Sequence, residues 1–301
     1  MKKTLLIVGS GNIALRTAPL FKNNYRIFGL YRNASSVSTL RSHGIIPIYG
    51  DLDLPQTLKR ISGIAQLVIH LAPPPSKGFQ DNRTTHLLSA LSRQSKNAGT
   101  ILPQRLIYIS TTGVYGDCQG ALINETRAVN PVNDRAVRRV DAEKQIRLWG
   151  KRNNVAISIL RVPGIYAADR LPLTRLQQGL PALIENEDSY TNHIHADDLA
   201  RIIYAAAQYG KPGRLYHACD DSNLKMGAYF DLVADHFGYP HPPRVTREEA
   251  QKRISPGMMS FMRESRRIEN SRIKKELYVN LLYPKVEAGV IAACQEQSRH
   301  D

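Results

Sequence analysis

The sequence predicts a doubly wound α/β fold, in which a parallel sheet carries helices on both faces, followed by a small C-terminal lobe. The chain has 301 residues, of which 42% are hydrophobic and 22% charged, a composition that allows a sizeable buried core. Short apolar strands alternate with helical patterns through the first half, and the alternation stops after about Val162. Strand–helix alternation at this spacing implies right-handed crossovers and therefore a parallel sheet.

The elements of the first half follow one another in a regular order. The strand candidates are Leu5–Val8, Arg26–Tyr31, Ile45–Tyr49, Leu67–Leu71, Leu106–Ser110 and Ala156–Val162. The helical patterns between them are Ile13–Phe21, Ser35–His43, Pro55–Ile61, Arg83–Arg93 and Arg135–Trp149. This order places helices on both faces of the sheet.

The second half predicts a smaller lobe. Pro and Gly residues interrupt the pattern soon after Val162, so we divide the chain into 1–162 and 163–301. A helix near Asp197–Gln208 and a strand near Leu215–Cys219 then resume the earlier rhythm. We therefore expect about 193–220 to return to the main sheet. The punctuating residues are Pro163, Gly164, Pro172, Gly179 and Pro181.

Cysteine usage and the N-terminal residues predict a cytoplasmic protein without a membrane segment. The three cysteines are isolated, with no C-x-x-C pair for zinc or redox chemistry, and they are expected to be reduced. The apolar run Leu5–Val8 is too short for a signal peptide. No apolar stretch approaches the length needed to span a bilayer.

The net charge of +15, with a pI near 9.8, favours anionic partners such as a phosphorylated cofactor or an acidic substrate. The basic region Arg263–Lys275 has no interleaved aromatic side chains and matches no DNA-binding helix. A nucleic-acid partner is therefore not expected. The region is a candidate polyanion site, and the alternative is that it forms a solvated basic face.

The segment from Gly9 to Ala14 predicts a dinucleotide site in a Rossmann fold. It follows the first strand and opens the first helix, with glycines for a tight turn and for close approach of a pyrophosphate. Free N–H groups and the helix dipole then hold the phosphates. The alternative is an ordinary strand–helix turn. The expected contacts in this loop are Gly9, Ser10, Gly11, Asn12 and Ile13.

The end of the second strand favours NADP over NAD. An acidic residue there would bond the ribose 2′-hydroxyl of NAD, but Tyr31 occupies that place and Arg32 follows it. A guanidinium can bind a 2′-phosphate bidentately. Asp51, after the third strand, is expected to bond the adenine amine or, as the alternative, to cap a helix. NAD stays open as the second choice of cofactor.

Several segments, in order, resemble the extended or atypical short-chain dehydrogenase/reductase superfamily, in particular its NAD-dependent epimerases and dehydratases. The resemblance covers most of the chain. Its most specific pieces are Ser110–Gly116 (STTGVYG) and Arg161–Tyr166 (RVPGIY). The other pieces are Gly9–Ala14, Gly50-Asp51, His70-Leu71-Ala72 and His193–Ala200.

This resemblance implies roles for individual residues. Thr111 takes the place of the active-site Ser or Thr, four residues before Tyr115. Tyr166 is expected at the substrate, and a basic residue, Arg266 or Arg267, at the diphosphate of a nucleotide sugar, for which we choose Arg267. The implied cofactor contacts outside the glycine loop are Leu71, Ala72, Pro163 and Ile165.

The chain departs from the superfamily at its proton-transfer pair, Tyr-x-x-x-Lys. Arg135 stands in the Tyr place and Arg139 in the Lys place, as i,i+4 neighbours on one predicted helix. Arg139 can still bind ribose hydroxyls. Arg135 cannot abstract a proton, because a guanidinium stays charged at physiological pH.

Three consequences stay open. Tyr115, Tyr166 or a histidine serves as the acid/base, Arg135 clamps an anionic substrate or stabilises developing charge, or the protein binds NADP without turnover as a sensor. We predict an NADP-preferring oxidoreductase or epimerase-like enzyme whose small, anionic substrate lies between Thr111, Tyr115, Arg135 and Tyr166. No metal site is expected, and the sequence is compatible with a homodimer.

Overall fold

A parallel sheet forms the centre of the protein. The computed structural model describes residues 2–93 and 101–297. The strands of the sheet are β1 (Lys3–Val8), β2 (Tyr25–Tyr31), β3 (Ile46–Tyr49), β4 (Leu67–His70), β5 (Arg105–Thr111), β6 (Ala156–Val162) and β7 (Arg214–His217). They lie in the order β3-β2-β1-β4-β5-β6-β7, all parallel. This topology confirms the predicted doubly wound Rossmann sheet.

Helices cover both faces of the sheet and build the lobe. They are α1 (Asn12–Phe21), α2 (Val37–Ser42), α3 (Asn82–Leu91), α4 (Asp134–Asn153), α5 (Leu173–Gln177), α6 (Ala196–Tyr209), α7 (Met226–Phe237), α8 (Arg247–Arg253), α9 (Pro256–Met262), α10 (Ser271–Leu277) and α11 (Val286–Gln297). Short 3-10 helices occupy Ala34–Ser36, Pro55–Ile61, Thr112–Tyr115 and Ala168–Arg170. The helical pattern predicted at 55–61 thus forms a 3-10 helix, which is wound more tightly than an α-helix.

Two apolar cores lie on opposite faces of the sheet. Alternate residues of β1 point to opposite sides, so Leu5 and Ile7 pack with α1, α6 and α10, whereas Leu6 and Val8 pack with α3 and α4. All four side chains are fully buried. Because helices cover both faces, the strands are apolar almost throughout.

Helix α4 is fixed at its start and in its middle. The Asn133 side chain accepts a hydrogen bond from the Ala136 N–H at 2.9 Å and caps the first turn. Farther along, buried Glu143 accepts hydrogen bonds from Arg161 on β6 and from Ser110 on β5. These contacts fix α4 against the carboxyl ends of two strands.

Short strand pairs that involve the lobe lie outside the seven-stranded sheet. Gly164–Tyr166 pairs in parallel with His193–His195, and Leu122–Ile123 pairs in parallel with Arg267–Ile268. Tyr166 belongs to the apolar core of the lobe, together with residues of α7 and α11. In the ranges that the structure describes, no helix has the length and apolar character needed to cross a membrane.

Candidate functional site

The loops after β1 and β4 touch at the point where the strand order reverses. Gly9 has a φ of +96°, and an added Cβ would lie 2.5 Å from the Ala72 nitrogen. The Leu71 and Ala72 N–H groups both donate to the Val8 carbonyl, at 2.7 and 3.0 Å. Only glycine fits at position 9, so the tight turn expected from the sequence is present. Ligands of open α/β sheets bind at such a reversal.

The second glycine leaves open space at the start of α1. Gly11 is the N-cap residue of this helix, and a Cβ built on it meets no described atom within 4 Å. A cavity of about 280 Å³ lies here, lined in part by Gly9, Asn12, Ile13 and Leu71. Ser10 instead turns away and donates a hydrogen bond to the Leu30 carbonyl at 2.8 Å. The free space and the helix N-terminus form a cradle suited to phosphate groups.

A second cavity, of about 410 Å³, adjoins the glycine loop on the side of β2 and β3. Arg32 and Asp51 both line it, as does Ala72. Arg83 lines it too, but its guanidinium is paired with Asp53 at 2.6 Å. Arg32 makes no ion pair with any residue that the structure describes, so its charge is available to a ligand.

The end of β5 and the first turns of α4 form the next part of the site. The Thr111 hydroxyl accepts a hydrogen bond from the Gly113 N–H at 3.2 Å. The Arg139 guanidinium donates to the Ile109 carbonyl at 2.7 Å and to the Tyr108 hydroxyl at 3.0 Å. Both contacts hold the Arg139 side chain against the strand end.

A third cavity, of about 440 Å³, lies between the sheet and the lobe. Arg135 lines it: the side chain is exposed, and its guanidinium carbon lies 4.4 Å from the centre of the Phe261 ring. Arg266 also lines it but is paired with Glu264 at 2.8 Å. Neither Arg135 nor Arg139 has a carboxylate partner within the described chain. The cavity wall is therefore cationic.

The glycine-loop cavity and the third cavity share part of their walls. The shared residues are Thr111, Arg139, Pro163, Ile165 and Arg170. The three cavities thus form a row along the carboxyl ends of the strands. This row leads from Arg32, past the glycine loop, to Arg135.

The structure does not bring Tyr115 into this row. The Tyr115 side chain is 1% exposed, and its hydroxyl is hydrogen-bonded to the Nε2 of buried His217 at 2.5 Å. Arg161 lies over its ring, 4.7 Å from the centre, and burial raises the pKa of its hydroxyl. Because the 3-10 turn after Thr111 turns this side chain inward, the predicted acid/base role of Tyr115 has no support in the geometry.

Arg266, and not Arg267, reaches the third cavity. The Arg267 Nε donates to the Gly120 carbonyl at 2.8 Å, and its guanidinium stacks over the Tyr190 ring. The two arginines are adjacent in an extended segment, so their side chains point to opposite sides. The geometry therefore gives no support to the predicted substrate contact at Arg267 and favours Arg266 instead.

Tyr166 lines the third cavity, but its hydroxyl is deep in the lobe. The residue is 2% exposed, and a Cβ on Gly289 of α11 would lie 2.5 Å from the hydroxyl oxygen. Burial raises the pKa of this hydroxyl well above its ordinary value. Tyr166 is therefore placed for a wall contact with a ligand and not for proton transfer.

Other cavity-lining residues were not selected from the sequence. They are Arg83, Arg170, Tyr190, His193, Tyr229 and Phe261. Several lie in the lobe, where no motif marks them. His193 begins a piece of the family resemblance, but the sequence assigned it no place in the site. No group of His, Cys, Asp or Glu that could hold a metal ion occurs among the described residues.

Comparisons with known proteins identify the family of this chain. Residues 6–219 match the NAD dependent epimerase/dehydratase family. Protein YeeZ of Escherichia coli (strain K12) is 28% identical over 181 residues, which is 60% of this chain and 59% of YeeZ. The match therefore spans about three fifths of that relative's length.

Solved structures share the whole fold. A conserved protein of unknown function from Silicibacter pomeroyi superposes with a TM-score of 0.82 at 28% identity, covering 98% of this chain and 99% of that one. UDP-glucose 4-epimerase of Thermotoga maritima superposes with a TM-score of 0.78 at 17% identity, with 99% of each chain covered. Since the family match runs from β1 through the glycine loop and every strand of the sheet, the chain belongs to the NAD dependent epimerase/dehydratase family.

Proposed function

We propose that the protein is a cytoplasmic, NADP-preferring oxidoreductase or epimerase/dehydratase-like enzyme that acts on a small carbonyl, alcohol or sugar-type molecule with an anionic group. One observation carries this proposal. The glycine-loop cavity and the cationic third cavity share the wall formed by Thr111, Arg139 and three further residues. A ligand in each would meet at that wall, as a cofactor and a substrate must.

The residues present fit a nicotinamide dinucleotide, the cofactor class of the family. Gly11 and the start of α1 would hold the pyrophosphate, Arg139 the nicotinamide ribose, and Pro163 and Ile165 the nicotinamide ring. When bound, this cofactor supplies or accepts the hydride. Arg32, which has no ion-pair partner among the described residues, supports a contact with the 2′-phosphate of NADP.

The cationic wall supports an anionic substrate. Glu264 is the acidic residue of the wall, and it is paired with Arg266. Arg135 itself makes no ion pair with a carboxylate of the described chain. Arg135 would bind a carboxylate or phosphate and orient the molecule against Thr111, and Tyr166 would contact it through its ring.

A second candidate is a non-catalytic NADP-binding sensor, favoured by the residue at position 135. A guanidinium there cannot take a proton from an alcohol. Cofactor binding without turnover would be the signature of this alternative. It needs the same cofactor contacts but no chemistry in the third cavity.

A matched pair of aldehydes tests the proposed enzyme. We would follow NADPH oxidation with 4-carboxybenzaldehyde and with its uncharged methyl ester. The wild-type protein should prefer the carboxylate by roughly tenfold or more in kcat/KM, since one charge-assisted hydrogen bond contributes about 1.5–3 kcal/mol. Arg135→Ala should remove this preference.

The opposite outcomes separate the two candidates. A preference for the ester, or an equal rate with both aldehydes, would contradict an anion site at Arg135. Tight NADPH binding without oxidation in the presence of either aldehyde would favour the sensor.

A further inference from the structure

His193 differs from the other buried histidines in having no partner. His70, His195 and His217 each make a hydrogen bond through a ring nitrogen, to Thr84, to the Asp197 N–H and to Tyr115, respectively. His193 is 5% exposed, and its Nδ1 is buried with no hydrogen-bond partner within the described chain.

The position of this ring is fixed by its neighbours. His193 lies directly opposite Gly164 in a parallel strand pair, and its ring packs on the face of Tyr229 with centres 4.2 Å apart. Tyr166 meets it edge-on at 6.2 Å. These contacts hold the imidazole in the wall of the third cavity, which Arg135 also lines.

The imidazole is uncharged in this wall. Burial lowers the pKa of His193 to about 4, so the ring carries one N–H donor and one acceptor nitrogen at neutral pH. An uncharged ring is compatible with a cavity wall that also carries guanidinium groups. A buried polar group without a partner costs free energy, and a ligand oxygen would remove that cost.

We propose that His193 is a substrate-contacting residue, whose uncharged imidazole hydrogen-bonds a hydroxyl or carbonyl oxygen of the anionic molecule held at Arg135. This inference rests on the proposed function. It narrows the substrate class to anions that carry such an oxygen away from the charged group. It also assigns a specificity role to a residue that is placed by the lobe and not by the glycine loop or by α4.

A crystal structure of the NADP⁺ complex soaked in inorganic phosphate tests the contact directly. We expect a His193 ring nitrogen within hydrogen-bond distance of a phosphate oxygen or an ordered water in the cavity. A ring nitrogen bonded to a protein group, or a ring separated from all cavity solvent and phosphate, would overturn the proposal. Failure of NADP⁺ to bind would instead contradict the proposed function.

Two substitutions test the role in solution. His193→Phe keeps a ring against Tyr229, so it should fold with an unchanged or higher melting temperature and bind NADPH within about twofold of wild type. Its kcat/KM for 4-carboxybenzaldehyde should fall by roughly tenfold or more, and His193→Gln should recover part of that loss.

A merely structural histidine predicts a different result. In that case His193→Phe would retain wild-type kcat and KM with 4-carboxybenzaldehyde, and the proposal would be wrong. His241→Phe, at an exposed histidine paired with Asp235, is the matched control and should leave both constants unchanged.

Discussion

At the scale of single residues, the two glycines of the β1–α1 turn have different constraints. A side chain at Gly11 meets nothing in the protein but would occupy the space expected for the pyrophosphate. Gly11→Val should therefore abolish NADPH binding in titration calorimetry while the circular dichroism spectrum stays native. At Gly9 a Cβ would overlap the backbone of Ala72, so Gly9→Ala should lower the melting temperature itself. Unchanged NADPH affinity in Gly11→Val would exclude this loop as the phosphate site.

Arg32 is the residue on which cofactor choice is expected to depend. It lines the cavity beside β2 and has no ion-pair partner within the described residues. A contact of about 1.5–3 kcal/mol with the 2′-phosphate corresponds to roughly 10- to 100-fold preference for NADPH over NADH. Arg32→Ala should remove most of this preference in fluorescence titrations. Arg26→Ala, at the opposite end of β2, is the charge-matched control; equal wild-type affinity for both cofactors would refute the idea.

The sequence predicted some of the cavity-lining residues and missed others for a physical reason. Gly9 and Thr111 are fixed by local geometry, since each directly follows or ends a strand whose direction the fold determines. The direction of Tyr115 and of Arg267 depends on contacts with distant segments, with His217 and with Gly120. His193 lies in a piece of the family resemblance, but nothing in the sequence marks it as a ligand contact, because the missing partner of its Nδ1 is visible only in three dimensions.

At the scale of secondary-structure elements, α4 presents two arginines to neighbouring ligands. Arg135 and Arg139 are one turn apart, and the second is held at the end of β5. Arg135→Ala should raise the KM for 4-carboxybenzaldehyde by roughly tenfold and leave the Kd of NADPH nearly unchanged. Arg139→Ala should do the reverse. Lys144→Ala, on the exposed face of the same helix, controls for the loss of charge. If both arginine variants lost NADPH binding equally, the assignment of Arg135 to the substrate would fail.

The loop after β7 contains a carboxyl group whose charged form is disfavoured by burial. Asp220 is 3% exposed, its Oδ2 has no partner, and burial raises its pKa to about 7. The folded state thus favours the protonated acid, so its contribution to stability is present at low pH and is lost as pH rises towards 7. Asp220→Asn should gain stability over wild type by roughly 2–3 kcal/mol more at pH 8 than at pH 5, in urea denaturation. An identical difference at both pH values would contradict the raised pKa.

At the scale of the whole molecule, the doubly wound sheet was predictable and the lobe much less so. The sheet could be predicted because apolar strands alternate with helices, and this pattern is visible within short stretches of the sequence. Short pairings such as Gly164–Tyr166 with His193–His195, and Leu122–Ile123 with Arg267–Ile268, join segments far apart in the chain. Strands of two or three residues have too few positions for a periodic signal. The third cavity is built from such segments, which is why its composition emerged only from the structure.

The net charge of +15 also acts at this scale, through long-range attraction of the cofactor. NADPH carries an additional phosphate, so a positive field favours it over NADH beyond the direct contact with Arg32. Salt shortens the Debye length from about 10 Å at 0.1 M to about 3 Å at 1 M, which removes the long-range part and leaves the close contact. We would measure the ratio of the NADH to the NADPH dissociation constant by fluorescence titration. This ratio should decrease when KCl is raised from about 0.02 M to about 1 M, but it should stay above one in the wild type. In Arg32→Ala the ratio should approach one at the highest salt. A ratio that does not change with salt would show that the preference comes from short-range contacts alone.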